Sequence, residues 1–305
     1  DAAYAVHREG DGWGTPIPLV PGVAVDNREQ FGAAVAINDA GDTIAVGAPG
    51  LTNRATPGNG PGDIHIFRLL AGQWAYAETI SFRDPDANSS LFGSAMAFAG
   101  DELLATDAAK GLFSSDPNVS TDLFVYDGSD GAFGPTPDAE VPVPPSLRGD
   151  GFGGVQSAKG LGLALDIRGD TGLIGAPYEN APFVGTEAGA VYRVRREAGE
   201  WVFTSRLRSD DPQVFARFGS DVALSAAGDE YVIGEPRRNS GDGIDEVGRV
   251  NFTNEVFREA PFEVRPADSI VALALDFPGV PTQFIALIAQ GRLELVLPET
   301  CEIHE

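Results

Sequence analysis

Phe31-Gly32-Ala33-Ala34-Val35-Ala36-Ile37 is restated three more times along the chain. The copies are Phe92-Gly93-Ser94-Ala95-Met96-Ala97-Phe98, Leu161-Gly162-Leu163-Ala164-Leu165-Asp166-Ile167 and Phe218-Gly219-Ser220-Asp221-Val222-Ala223-Leu224. A weaker fifth copy runs from Val271 to Phe277. A turn glycine follows each copy at a nearly fixed distance, at Gly41, Gly100, Gly169, Gly228 and Gly279, and an aspartate follows it at Asp42, Asp101, Asp170 and Asp229. After the first, third and fourth turns comes a small-residue corner, Gly47-Ala48-Pro49, Gly175-Ala176-Pro177 and Gly234-Glu235-Pro236, where the second copy reads Thr106-Asp107-Ala108. A self-similar period of this size decides the architecture before any single residue does.

The starts at 31, 92, 161, 218 and 271 leave between them the length of one four-stranded sheet with its loops. Apolar residues alternate or run in short β-branched stretches, as in Thr43-Ile44-Ala45-Val46 and Glu230-Tyr231-Val232-Ile233, bounded by Gly, Asp and Pro. Helical periodicity is nearly absent. The pattern predicts a third strand over Asp63 to Phe67, Asp122 to Tyr126, Ala190 to Val194 and Arg249 to Phe252. A hairpin such as Glu197-Ala198-Gly199-Glu200 then leads to a fourth strand, opening on Trp at Trp74 and Trp201. Each copy is expected to be a four-stranded antiparallel meander, so the fold expected is an all-β propeller of such blades in a single domain over residues 1–305.

Tyr4-Ala5-Val6-His7, a Gly-Asp-Gly turn and Trp13 match strands three and four of a copy whose first half is missing. Residues 271–305 and 1–30 together have the length of one repeat, so five blades closed by pairing the N- and C-terminal strands is the economical expectation, and closure removes exposed sheet edges. Arg292 to Leu297 also reads as a third strand, which makes six third strands against five first strands. Either one is redundant or the chain is cut from a ring of six or seven blades.

The Phe-Gly start, the Gly-Asp turn and the Gly-Ala-Pro corner resemble the FG-GAP repeats that build the propeller of integrin α chains and of many bacterial secreted proteins. The likeness is strong for the copies starting at 31, 161 and 218, partial at 92 and poor in the fifth. It implies a propeller with a binding or scaffolding role and carries no chemistry. Calcium-loaded repeats of that family place several acidic residues at alternate positions in a longer hairpin between strands one and two. The hairpins here, from Asn38-Asp39-Ala40-Gly41-Asp42 down to Ala99-Gly100-Asp101, are too short to wrap six or more oxygens around Ca²⁺, so the Gly-Asp pairs read as turn chemistry.

Net charge is −24, and of 21 basic residues only Lys110 and Lys159 are lysines, a balance that repels nucleic acid and anionic membranes. Hydrophobic residues make up 43%, with 38 Gly and 22 Pro, and no low-complexity tract breaks the chain. Pro is densest from Pro135 to Pro145, where a loose outer strand and loop are expected. The single cysteine, Cys301, excludes an internal disulfide. No stretch has the length of an apolar membrane helix, and a first residue other than Met suggests a removed leader and an extracellular, periplasmic or cell-surface location.

No catalytic constellation is apparent, and the sequence is expected not to encode an enzyme. His7, His65 and His304 have no nucleophile or metal-ligand spacing. A glycan hydrolase with paired carboxylates is the alternative, since some propellers are glycosidases and 45 acidic residues offer many pairs. Asn88-Ser89-Ser90, Asn118-Val119-Ser120 and Asn251-Phe252-Thr253 are glycosylation triplets, and Arg148-Gly149-Asp150 and Arg168-Gly169-Asp170 spell an adhesion tripeptide, the second reading as a Gly-Asp hairpin in register with the others and the first as incidental to a longer loop.

In a meander the loops from strand two to three and from strand four to the next strand one leave the same end, and here these are the long ones, at 50–61, 109–120, 178–188 and 237–247. Variable loops on a rigid scaffold are where binding sites are built, so a protein or glycan partner is expected there. The loops between blades repeat acids beside an arginine, as in Arg83-Asp84-Pro85-Asp86, Arg208-Ser209-Asp210-Asp211 and Arg265-Pro266-Ala267-Asp268. They read either as bracing pairs or as an acidic ring able to hold a cation. No cofactor is expected, and the weak candidate for Ca²⁺ is the loop carrying Asp242, Asp245 and Glu246.

Overall fold

The computed structural model describes residues 2–10, 12–22, 30–50, 62–81, 91–108, 122–144, 160–180, 186–239 and 248–252, with the backbone of short strands between 272 and 293. The candidate calcium residues Asp242, Asp245 and Glu246 lie outside the described residues, as do Cys301, His304, Arg148-Gly149-Asp150 and the first two glycosylation triplets. The chain divides into two compact units, Asp1–Ser115 with Thr121–Pro142, and Asp116–Ser120 with Val143–Glu305.

The first unit opens with β1 (Ala3–Ala5), β2 (Arg8–Glu9), β3 (Gly12–Trp13) and β4 (Ile17–Leu19), in which β1 pairs with β4 and β2 with β3. Strand β1 therefore pairs beyond Trp13, and Trp13 itself is exposed. Strands β5 (Ala34–Ile37), β6 (Thr43–Ala48), β7 (Asp63–Leu70) and β8 (Gln73–Ser81) form one antiparallel sheet in chain order. A second is made by β9 (Phe92–Ala99), β10 (Glu102–Asp107), β11 (Asp122–Asp127) and β12 (Ala139–Pro142), the last being the proline-rich outer strand. Ile64, Ile66 and Ile80 of the first sheet pack with Phe92, Leu103, Phe124 and Tyr126 of the second. The other face of the first sheet buries Phe31, Val46 and Phe67 with Ala3, Ala5 and Leu19. Each fully buried Phe or Ile contributes about 1.5–3 kcal/mol relative to exposure.

In the second unit β13 (Ala164–Arg168), β14 (Thr171–Ala176), β15 (Ala190–Glu197) and β16 (Glu200–Leu207) form a third four-stranded sheet. Strands β17 (Val222–Leu224), β18 (Tyr231–Glu235) and β19 (Arg249–Phe252) follow as a three-stranded one. Ala164, Leu173 and Val191 pack with Phe218, Val222, Leu224 and Ile233. The weak fifth copy appears as β20 (Ala272–Leu275) paired with β21 (Gln283–Ala286). The strand expected from Arg292 pairs as β23 (Arg292–Leu293) with β22 (Ile288–Ala289).

The Phe-Gly pair, or Leu-Gly in the third copy, precedes the first strand in three copies and opens β9 in the second. The amide three residues on donates back to the residue before the motif, in Ala33 to Gln30, Ser94 to Leu91, Leu163 to Gly160 and Ser220 to Arg217. The intervening glycines Gly32, Gly93, Gly162 and Gly219 have φ of 92, 83, 90 and 87°. That is a type II turn, whose third residue needs the positive φ that glycine supplies freely. The corner glycine explains the rest of the motif. A Cβ at Gly47 would overlap the carbonyl oxygen of Gly93, and one at Gly175 the carbonyl oxygen of Gly219, so within each unit one copy's corner lies against the next copy's turn.

The Gly-Asp turns are local structures, as the sequence implied. Asn38 Oδ1 accepts from the Asp42 and Thr43 amides, and its Nδ2 donates to Asp42 Oδ1 at 2.9 Å. Ser225 Oγ donates to Asp229 Oδ1 at 2.8 Å in the equivalent hairpin of the second unit. The end of the sheets carrying these turns is less uniform than expected. Residues 128–138 between β11 and β12 form a longer loop, pinned where the Phe133 amide donates to Glu78 Oε1 at 3.0 Å and the Arg68 guanidinium covers the Phe133 ring.

Candidate interaction surface

The connection from β16 to β17 holds Arg208-Ser209-Asp210-Asp211, the described representative of the acid-and-arginine loops, and each of these residues has a partner elsewhere. Arg208 reaches back to Glu179 in the loop after β14, at 3.3 Å, where Arg206 lies at 3.4 Å. Tyr192 of β15 donates its hydroxyl to the other Glu179 oxygen at 2.5 Å. Ser209 reaches forward, donating to Glu235 Oε2 at 3.1 Å. Asp210 accepts from both terminal nitrogens of Arg249, at 2.7 and 3.2 Å, and Asp211 accepts from Arg238 through its carbonyl and its carboxylate. The bracing reading of this loop therefore holds, with arginines supplied by the following sheet. Each exposed pair is worth at most about 1 kcal/mol, but together they fix the backbone.

Beyond Asp211 the segment stays pinned. Gln213 Oε1 accepts the Asn239 amide, and the amides of Phe215, Arg217 and Phe218 donate to the successive carbonyls of Thr186, Glu187 and Ala188. The Arg217 guanidinium pairs with Glu187 at 3.0 Å and lies 4.6 Å above the Tyr178 ring. Phe215 and Arg217 both have left-handed backbones, with φ of 62 and 58°, while Ala216 between them is fully buried. Val214 and Phe215 project outward, 43% and 49% exposed.

Two carboxylates support this surface from below. Glu179 is 1% exposed and Glu235 is 0% exposed. Burial raises the pKa of Glu179, against the lowering effects of Tyr192, Arg206 and Arg208. Burial likewise raises that of Glu235, opposed by Arg238, Asn251 and Ser209. Glu235 Oε1 has no hydrogen-bond partner. Glu179 is bound through both oxygens and Glu235 through Oε2, and both are buried, which suits loop anchoring better than exchange with a substrate.

The other sequence candidates are placed as follows. His65 is buried in β7 with Nδ1 2.8 Å from Thr79 Oγ1, which is 2.9 Å from the Tyr76 hydroxyl, and burial lowers its pKa. His7 stacks on Trp74. Among the described residues no group of three or more His, Cys, Asp or Glu could hold a metal ion. Arg168 of the second adhesion tripeptide folds back onto Asp166 at 3.0 Å, and Asn251 of the third glycosylation triplet donates inward to Ile233 and Glu235. One repeated position went unread in the sequence. Gly62 and Gly189, directly before β7 and β15, leave room for the carbonyls of Phe92 and Phe218, and the signal is a glycine immediately before the third strand, repeated at Gly248 before β19.

No family model and no curated protein matches this sequence. Solved structures do match. A putative 6-phosphogluconolactonase from Bacteroides uniformis aligns over 95% of this chain and 74% of its own, at 10% identity and a TM-score of 0.51. The fold is of the β-propeller kind. Saccharomyces cerevisiae Sqt1 aligns over 75% of this chain at 11% identity and a TM-score of 0.42, and this chain spans 47% of the length of Sqt1. The expectation that the chain is no enzyme is corrected here. The architecture is shared with a chain titled as a lactonase, so the propeller fold and the lack of a familiar motif give no ground for excluding catalysis.

Proposed function

We propose that the chain is a secreted or surface-located binding or scaffold module that engages a protein or glycan partner through the loop end of its sheets. The observation that carries this reading is the connection over 208–217, a surface segment braced residue by residue yet presenting two large apolar side chains to solvent. Membership of the FG-GAP repeats, with an adhesin-like role or a place in a surface assembly, belongs to the same proposal and is supported by the motif's turn-and-corner geometry. The net charge of −24 favours cationic partners over nucleic acid or anionic membrane. Replacing residues 209–216 by a Gly-Ser linker of equal length should abolish partner capture from native extract while the β-sheet circular dichroism persists. Unchanged capture would refute the reading.

Hydrolysis is the second reading, favoured by the likeness to a chain titled as a lactonase. An acid pair for glycan cleavage must be open to substrate, which Glu179 and Glu235 are not. Turnover of 6-phosphogluconolactone or of a glycan panel by the purified chain tests it directly, and an absence of turnover removes it.

A further inference from the structure

We propose that Phe215, with Val214 beside it, is the anchor by which the loop end of the second unit docks an apolar peptide segment rimmed by basic side chains on a protein partner. The inference rests on the binding reading above and names its centre.

A left-handed backbone is costly for any residue carrying a Cβ, more so for a bulky one, and Gly or Asn would relieve it. The chain instead places an aromatic residue at φ 62° and turns its ring toward water. Folding gains little from either choice, because the neighbouring Ala216 supplies the buried contact and the backbone amide of Phe215 supplies the bond to Thr186. Strain held in place by surrounding bonds is characteristic of functional positions. Here the bonds come from both sides, through Asp210, Asp211 and Gln213 upstream and Arg217 downstream. The result is a rigid apolar tip, which loses little conformational entropy when a partner closes over it.

The chemistry of the partner follows from charge. Asp210 and Asp211 lie a few residues upstream, 73% and 66% exposed, on a chain of net charge −24. Both acids are already paired, with Arg249 and Arg238, so it is the net charge of the chain that draws basic side chains around an apolar recess toward the tip over distance. Arg217, two residues beyond Phe215, stacks on Tyr178, and Tyr and Arg are residue types enriched at the centres of interfaces.

The test selects peptides from a random displayed library on the full chain, then measures the synthesised winners against wild type and Phe215→Gly. Glycine accepts φ near 60°, so this variant should keep its melting temperature while removing the ring. The expected result is enrichment of peptides combining Lys or Arg with large apolar residues, binding at least about tenfold weaker to Phe215→Gly and weaker in high salt. Winners that bind Phe215→Gly as tightly as wild type overturn the anchor and leave the binding reading intact. Acidic winners overturn the stated partner chemistry. An empty selection overturns both.

Discussion

In the first unit the third position of strand β7 holds His65, buried and supported by Thr79 of the adjacent strand, whereas the same position in the second unit holds Tyr192 and Asn251, each bonded to a carboxylate. Those carboxylates, Glu179 and Glu235, come from the corners after strand two and also hold Arg208 and Ser209 of the connection between sheets. The first arrangement stays within its sheet. The second ties the sheet interior to its loops, and that is where the strained, exposed tip is found.

The broadest challenge to the comparison lies in what the two units share. Gly47→Ala and Gly175→Ala should each destabilise by about 3 kcal/mol or more, because a backbone carbonyl and not a side chain must move. Chemical denaturation that shows one of them neutral would mean that successive copies are joined differently within the two units. Glu179→Ala should cost about 3 kcal/mol, since it leaves two arginines and a buried tyrosine hydroxyl without their acceptor. Its counterpart in the first unit, Thr79→Ala, should cost about 1–2 kcal/mol, two neutral hydrogen bonds, to His65 and to Tyr76. Equal costs would remove the distinction.

Acid should separate the units by sign. His65 titrates below its ordinary 6.5 because it is buried, so the stability from its burial is present above that value and is lost as pH falls toward the folded pKa. Glu179 and Glu235 titrate above their ordinary 4.5, so their contribution is full below that value and is lost as pH rises through the folded pKa. Hydrogen exchange between about pH 7 and about pH 5 should then show protection near β7 falling and protection near β15 and β18 rising. Glu235→Gln should flatten the rise, and His65→Phe the fall. The smallest expected effect is Asp229→Ala, about 0.5 kcal/mol, because that side chain serves only its own hairpin.

Much of this could be seen in the chain beforehand. The copies, the strands between Gly, Asp and Pro, and the Gly-Asp turns follow from local pattern, and local pattern is what those elements depend on. Spacing alone does not show the kind of turn at Phe-Gly; the positive φ at Gly32 and its equivalents does. The arginine-and-acid connection was visible at 208–211, but its partners Glu179, Glu235, Arg238 and Arg249 are distant in sequence and had no periodic signal. Glu235 did carry a hint, standing where the first and third corners have alanine. Phe215 gave none, since an exposed aromatic and a buried one are written alike.

The glycine-to-glycine approach also bears on how such a chain grows. It joins one copy's corner to the next copy's turn, as Gly47 meets Gly93 and Gly175 meets Gly219. Duplicating the first or third copy whole would rebuild the same joint at the new boundary, whereas the second copy, with Thr106 at its corner, would not. Copy number is thus freer to drift by recombination where the corner is a glycine, while the joints at Gly47 and Gly175 stay intolerant of a single added methyl group.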